Sequence, residues 1–211
     1  MAKPLAPTLQ ARKQPRQARS QVTVDAVFEA CIQVLLSDGH QRLTTTRVAE
    51  RAGVSVGTLY QYYPHKQALL YAVLERHLAR IGATVEAAAL AVHHASLATM
   101  VEALIAAYLR AKTEDVDEAR ALYGVAGELD SAELIRVAEK RGVQAVARML
   151  ATAPDARFAD LPLTAYMLCA ALVGPTRSML EGGAPQRMLR ALPAQLCSLC
   201  MGYLEREALP A

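Results

Sequence analysis

Residues 43–66 read LTTTRVAERAGVSVGTLYQYYPHK, and the fold turns on this stretch. Thr44 has a side-chain oxygen able to accept a backbone N–H bond, which suits the N-cap of a short helix that stops at Gly53. Val48, Ala49 and Ala52 supply the buried side of that helix, and the small Ala49 lets a second helix approach closely. Gly53 permits the left-handed backbone that a tight turn requires, and Val54 plugs the turn into the core. Ser55 is placed to cap the following helix, about Val56 to Tyr63, which Leu59 and Tyr63 anchor and Pro64 closes. Two short helices joined across a glycine turn form a helix-turn-helix. A generic packed pair would not need Gly53, Ser55, Gly57 and Tyr60 at these spacings.

In such a unit the second helix enters the major groove and its first residues meet base edges. Val56, Gly57, Tyr60 and Gln61 are the candidate base contacts. Val56 suits a thymine methyl, Gly57 lets the backbone come close, and Gln61 matches N6 and N7 of adenine. Thr45, Thr46, Ser55, Thr58, Tyr62 and Lys66 carry hydroxyls or charge that suit phosphate oxygens. Lys66 opens the next helix, where free N–H groups and the positive dipole end also favour an anion.

Charge points the same way. Residues 1–66 hold nine basic and four acidic side chains; residues 67–211 hold fourteen and sixteen. A basic N-terminal part on a mildly acidic body suits a polyanion held at one end. The first twenty residues include Lys3, Lys13, Arg16 and Arg19 and no acid. They read as a flexible arm, with Lys13, Arg16 and Arg19 as candidates for a flanking minor groove or phosphates. A solubilising tail is the other reading.

Helical periodicity continues outward in both directions. Val24, Val27, Phe28, Cys31 and Leu35 mark a first helix that Gly39 ends. After Pro64 a helix begins at His65 or Lys66 and runs on into the alanine-rich stretch 83–91. Further helices are expected at about 97–112, 116–128, 131–152, 162–182 and 186–206. No segment alternates with period two over a strand's length, so the expected class is all-α. The last two helices are rich in apolar positions. Leu168, Leu172, Val173, Met179 and Leu180 on one, and Leu189, Leu192, Leu196, Leu199, Cys200, Tyr203 and Leu204 on the other, are the expected dimer faces, with kinks at Pro175 and Pro193. A purely intramolecular core is the alternative. Tyr108, Tyr123, Met149, Tyr166 and Met167 are candidate lining for an effector pocket, with Arg120 or Glu128 as a polar contact. Tyrosines and methionines at helical spacing also serve simply as core.

Other signals carry little chemistry. Cys197 and Cys200 form a lone CxxC with no second pair, a weak zinc signal that reads better as helix packing. His93 and His94 are adjacent and would point about 100° apart on a helix. No nucleophile with a base, no phosphate-cradling glycine loop and no long apolar span is present, so neither an enzyme, a cofactor or metal site, nor a membrane protein is expected. With four cysteines and no apolar leader, a reducing cytoplasm is the expected home.

The segment resembles the tetracycline-repressor (TetR) family of regulators. The resemblance rests on Leu43-Thr44-Thr45, Val48-Ala49, Ala52-Gly53-Val54-Ser55, Gly57-Thr58-Leu59-Tyr60, Tyr62-Tyr63-Pro64, and Lys66 with Ala68-Leu69-Leu70, and spans about residues 20–75. With the arm read over 1–20, it implies a three-helix DNA-binding domain over 21–66 and a helical-bundle domain for ligand binding and dimerisation over 67–211. It also implies DNA contacts at Thr45, Thr46, Val56, Gly57, Thr58, Tyr60, Tyr62 and Lys66. Several members carry a long polar or basic side chain where Thr46 and Val56 stand here, which shifts specificity toward Tyr60, Gln61 and DNA shape. The function implied is a homodimeric repressor on double-stranded DNA, released from a near-palindromic operator by an unidentified small molecule. A DNA-binding protein without such an effector, controlled by a protein partner or structural in role, is the alternative.

Overall fold

Helix α1 (Ala18–Asp38) opens the computed structural model, which describes residues 18–209. There follow α2 (Thr45–Arg51), α3 (Val56–Tyr62), α4 (Lys66–Ala91), α5 (Leu97–Thr113), α6 (Val116–Glu128), α7 (Ala132–Leu150), α8 (Leu161–Glu181) and α9 (Gln186–Glu207). Lys13 and Arg16 lie outside the described residues. Arg19 falls in the first turn of α1, so the helix begins inside the segment expected as an arm.

Local chemistry explains the helix ends. The Thr44 side chain accepts from the Arg47 N–H at 3.3 Å, and Ser55 accepts from Thr58 at 3.0 Å. Gly53 takes φ +67°. There the Val54 N–H donates to the Ala49 carbonyl and the Gly53 N–H to that of Glu50, the paired closure that satisfies two orphan carbonyls at a helix end. The same closure recurs after α8, where Gly183 at φ +61° lets Ala184 donate to Met179. Asp160 caps α8 through the Leu163 N–H at 3.0 Å, with Pro162 in the first turn, where no intrahelical donor is needed. Helices α8 and α9 each continue through their internal prolines, Pro175 and Pro193.

The chain divides into two compact units. One comprises residues up to His77 together with Asp117–Leu134; the other comprises Leu78–Val116 and Ile135 onward. In the first, Val27, Phe28, Cys31 and Leu35 of α1 are buried at helical spacing, as are Val48 and Ala49 of α2, Leu59 of α3, and Leu69, Leu70 and Leu74 of α4. α1 packs on α2 and α2 on α3. Phe28 stacks at a tilt on Tyr63, centroids 5.7 Å apart, and the Arg76 guanidinium sits 5.3 Å over the Phe28 ring while pairing with Asp25.

In the second unit α5, α8 and α9 pack mutually. Met100, Val101, Leu104 and Ile105 of α5 meet Ala165, Leu168 and Leu172 of α8 and Leu192, Leu196, Cys200 and Leu204 of α9 in one core. This corrects the expected dimer faces. Leu168, Leu172, Leu180, Leu192, Leu196, Cys200 and Leu204 are buried within the chain itself. The outward apolar side of α8 is Leu163, Tyr166 and Met167, and that of α9 includes Met188 and Leu199. Apolar side chains stand on both sides of α8, and on α9 a few stand among the polar residues of its outer side, so packing shows which stripe turns inward. Among the described residues no helix is long and apolar enough to cross a membrane.

Candidate nucleic-acid interface

The short helices α2 and α3 hold the candidate groups in fixed relation. α3 buries Leu59 completely, which turns Gly57, Tyr60 and Gln61 outward and leaves Val56 at the edge of the buried side. Gly57 and Gln61 are exposed, Tyr60 is 40% exposed and Val56 half-buried. Thr45 and Tyr60 share a hydrogen bond between their hydroxyls at 3.0 Å, which ties the phenol to the start of α2. Ser55 and Thr58 likewise share one at 2.8 Å, in addition to the backbone cap. Of the hydroxyls expected at phosphates, those of Thr45, Ser55 and Thr58 are thus held by hydrogen bonds, while Thr46 stands exposed.

Gly57 is informative. It sits in a helix at an ordinary φ, and a Cβ built there would meet only Ser55 Oγ, at 3.7 Å. Nothing inside the protein requires the missing side chain, and glycine weakens a helix by about 0.5–1 kcal/mol relative to alanine. A glycine that the fold does not need fits a close approach from outside.

Two of the candidate contacts are largely buried. Tyr62, whose hydroxyl suits a phosphate, is only 8% exposed, and its ring lies 6.3 Å from that of Tyr63 on the inner side of α3. Thr45 is buried to the same degree. Lys66 reaches back to donate to the His40 carbonyl at 2.5 Å, which anchors one of its three N–H donors and leaves the ammonium with two more. Burial pushes the neighbouring Cys31 thiol up to about 12, against the pull of Lys66.

Other fastenings were not legible in the residues. His65 accepts the Ala68 N–H on Nδ1 at 3.2 Å and so caps α4, a role that a search for Ser, Thr, Asp or Asn passes over. Arg47 of α2 pairs with Asp38 at the end of α1. Bonds from Ser37 and Arg47 hold the Asp38 carboxyl below the usual range. Glu128, a candidate effector contact by sequence, lies 2.6 Å from His40 instead.

The effector-pocket candidates are divided between the two units. Arg120 and Tyr123 belong to the first unit; Tyr108, Met149, Tyr166 and Met167 belong to the second. Met149 is fully buried and Tyr108 nearly so, both within the core, whereas Tyr166 and Met167 are 57% and 44% exposed on the outer side of α8. A solvent-open cavity of about 470 Å³ is lined by Thr84, Arg110, Ala111, Thr113 and Glu114, none of them among the candidates. No group of His, Cys, Asp or Glu that could hold a metal ion occurs among the described residues.

Comparison with known proteins bears on both units. Residues 23–73 match the model of bacterial regulatory proteins of the tetR family, and residues 96–204 match the tetracyclin repressor-like C-terminal domain. The HTH-type transcriptional repressor KstR of Mycolicibacterium smegmatis is 42% identical over 65 residues, 31% of this chain and 32% of that protein. The nucleoid occlusion factor SlmA of Actinobacillus pleuropneumoniae is 42% identical over 71 residues, 33% of each chain. The matched segments thus span about a third of these relatives. The crystal structure of a regulator assigned to the TetR family, from Mesorhizobium loti, superimposes with a TM-score of 0.75 at 17% identity, covering 92% of this chain and 100% of that one. The helix-turn-helix, the fold, the family model that contains that motif and the one that follows it converge, and the chain belongs to the tetracycline-repressor family of bacterial transcriptional regulators.

Proposed function

We propose that the protein is a cytoplasmic, homodimeric transcriptional repressor that binds a near-palindromic operator through α3 and leaves it when a small molecule binds the helical body. The observation that carries the DNA-binding part is Gly57, an exposed helical glycine that packing does not call for, beside an ordered Tyr60 and Thr45. Val56, Gly57, Tyr60 and Gln61 meet base edges. Thr46, Ser55, Thr58 and Lys66 serve the phosphates, with Lys13, Arg16 and Arg19 reaching the flanking DNA. Repression is supported by the likeness to KstR, a named repressor, over the DNA-binding segment.

The dimer is formed by the outward faces of α8 and α9. Leu163, Tyr166 and Met167 recur at helical spacing there at 54%, 57% and 44% exposure, and Leu199 is 52% exposed. Such a run of large apolar side chains is costly to leave in water. Two-fold symmetry then places two copies of α3 one helical turn of DNA apart, which demands the palindrome. The effector must bind the released state more tightly than the DNA-bound one, and it occupies the second unit.

Transcript levels in a strain lacking the gene test the direction of control. Derepression of a neighbouring promoter supports the proposal; a fall in transcription would make the protein an activator. A second reading is favoured by one observation. The same DNA-binding segment is 42% identical to that of SlmA, a nucleoid occlusion factor, so this head also serves a protein named for a role other than repression. A ligand screen by thermal shift separates the two, because only an effector-controlled repressor is stabilised by a small molecule that also releases DNA.

A further inference from the structure

Within the first unit, α6 is held at both of its ends by a His–Glu pair. At its start Glu118 Oε1 lies 2.9 Å from Nδ1 of His77 on α4, with both side chains largely withdrawn from water. At its last residue Glu128 Oε2 lies 2.6 Å from Nδ1 of His40, in the loop between α1 and α2. His40 Nδ1 is sealed from solvent, and the carboxylate stands off the line a hydrogen bond from the ring would take. The contact is thus a close approach of the carboxylate to the ring rather than an aligned hydrogen bond. The carbonyl of the same residue accepts from Lys66 Nζ.

We infer that Glu128 and His40 are positioning residues for operator binding: Glu128, from α6, fixes the His40 loop, and the His40 carbonyl fixes the Lys66 ammonium where it meets a DNA phosphate. A free lysine side chain loses rotamer entropy when it is ordered. The bond to His40 orders it before DNA arrives and leaves two donors for phosphate. Whatever draws the end of α6 away from His40 slackens Lys66 and weakens the operator complex, with no change at α3. Residues 88 positions apart in sequence are thereby joined in one chain of interactions, Glu128 to His40 to Lys66. The inference rests on the reading of Lys66 as a phosphate contact.

A double-mutant cycle on the full-length protein tests it, read as operator affinity across a salt series. Lys66→Ala lowers affinity on the order of tenfold and reduces the salt slope by about 0.9 for each phosphate that is no longer neutralised. Glu128→Gln, a near-isosteric change at a half-exposed side chain, lowers affinity roughly three- to tenfold and moves the slope in the same direction. His40→Phe reproduces it. In the Lys66→Ala background Glu128→Gln then has no further effect. Circular dichroism and thermal unfolding establish that each variant is folded. If Glu128→Gln leaves affinity and slope unchanged, or costs as much with Lys66 absent as with it present, the positioning role is overturned and the phosphate role of Lys66 stands. If Lys66→Ala alone changes neither quantity, the phosphate role is refuted and the positioning role falls with it.

Discussion

Replacing Gly57 by alanine should stabilise the protein and weaken its hold on DNA at once. The position is helical, its φ is not left-handed, and the new Cβ meets only Ser55 Oγ at 3.7 Å, an ordinary contact. Removing the glycine from α3 therefore gains about 0.5–1 kcal/mol, mostly by restricting the unfolded chain. For a protein of this size that corresponds to a rise in Tm of about 1–4 °C. On the DNA side the added methyl group stands where the recognition helix must press closest to the groove. A well-made base contact is worth about 1–3 kcal/mol, and spoiling one costs roughly 5- to 150-fold in Kd. Differential scanning fluorimetry reads the first effect and fluorescence anisotropy with a labelled operator the second. A variant that gains stability and binds with unchanged affinity would refute the reasoning, because the glycine would then serve neither the fold nor the DNA.

Leu59→Ala removes a completely buried side chain of α3 and should cost about 2–5 kcal/mol in urea unfolding. Ser55→Ala deletes the N-cap of the same helix, which should cost about 1 kcal/mol and loosen Thr58, its hydroxyl partner, with operator affinity falling alongside. Tyr166→Glu paired with Met167→Glu, both on the outward side of α8, should leave a folded monomer in sedimentation equilibrium; an intact dimer would place the interface elsewhere. The bond from Arg76 holds the Asp25 carboxyl below its usual 3.8. Its stabilising contribution is therefore present above that pH and is lost as the pH falls below it, so Asp25→Asn should flatten the stability curve on the acid side, as acid titration of unfolding would show.

The parts of the fold that a reader of the sequence can see are those set by neighbours along the chain. Thr44, Gly53 and Ser55 act within a few residues of themselves, so the boundaries of α2 and α3 and the turn between them follow from residue type alone. The periodic helices α5 to α9 follow in the same way. The sides of α8 and α9 do not. Tyr166 and Leu168 stand two residues apart and are both large and apolar, yet one is 57% exposed and the other fully buried. Periodicity shows an apolar stripe, and when apolar side chains surround a helix it does not show which stripe faces the core. The fastening of Lys66 by His40, and of His40 by Glu128, depends on groups 26 and 88 residues apart, for which no local pattern exists. The burial of Tyr62 is likewise not visible in its residue type: its place one turn beyond Leu59 leaves the side chain only 8% exposed.

The central claim is that α3 reads a defined DNA sequence as one half of a symmetric pair. Selection from randomised duplex DNA by the purified protein, carried out at moderate salt and followed by sequencing of the bound pool, tests it most directly. Enrichment of a single near-palindrome, with half-sites about one helical turn apart and a complex containing an even number of chains, is the predicted result. A pool that stays random, with binding that only fades as salt rises, would contradict it.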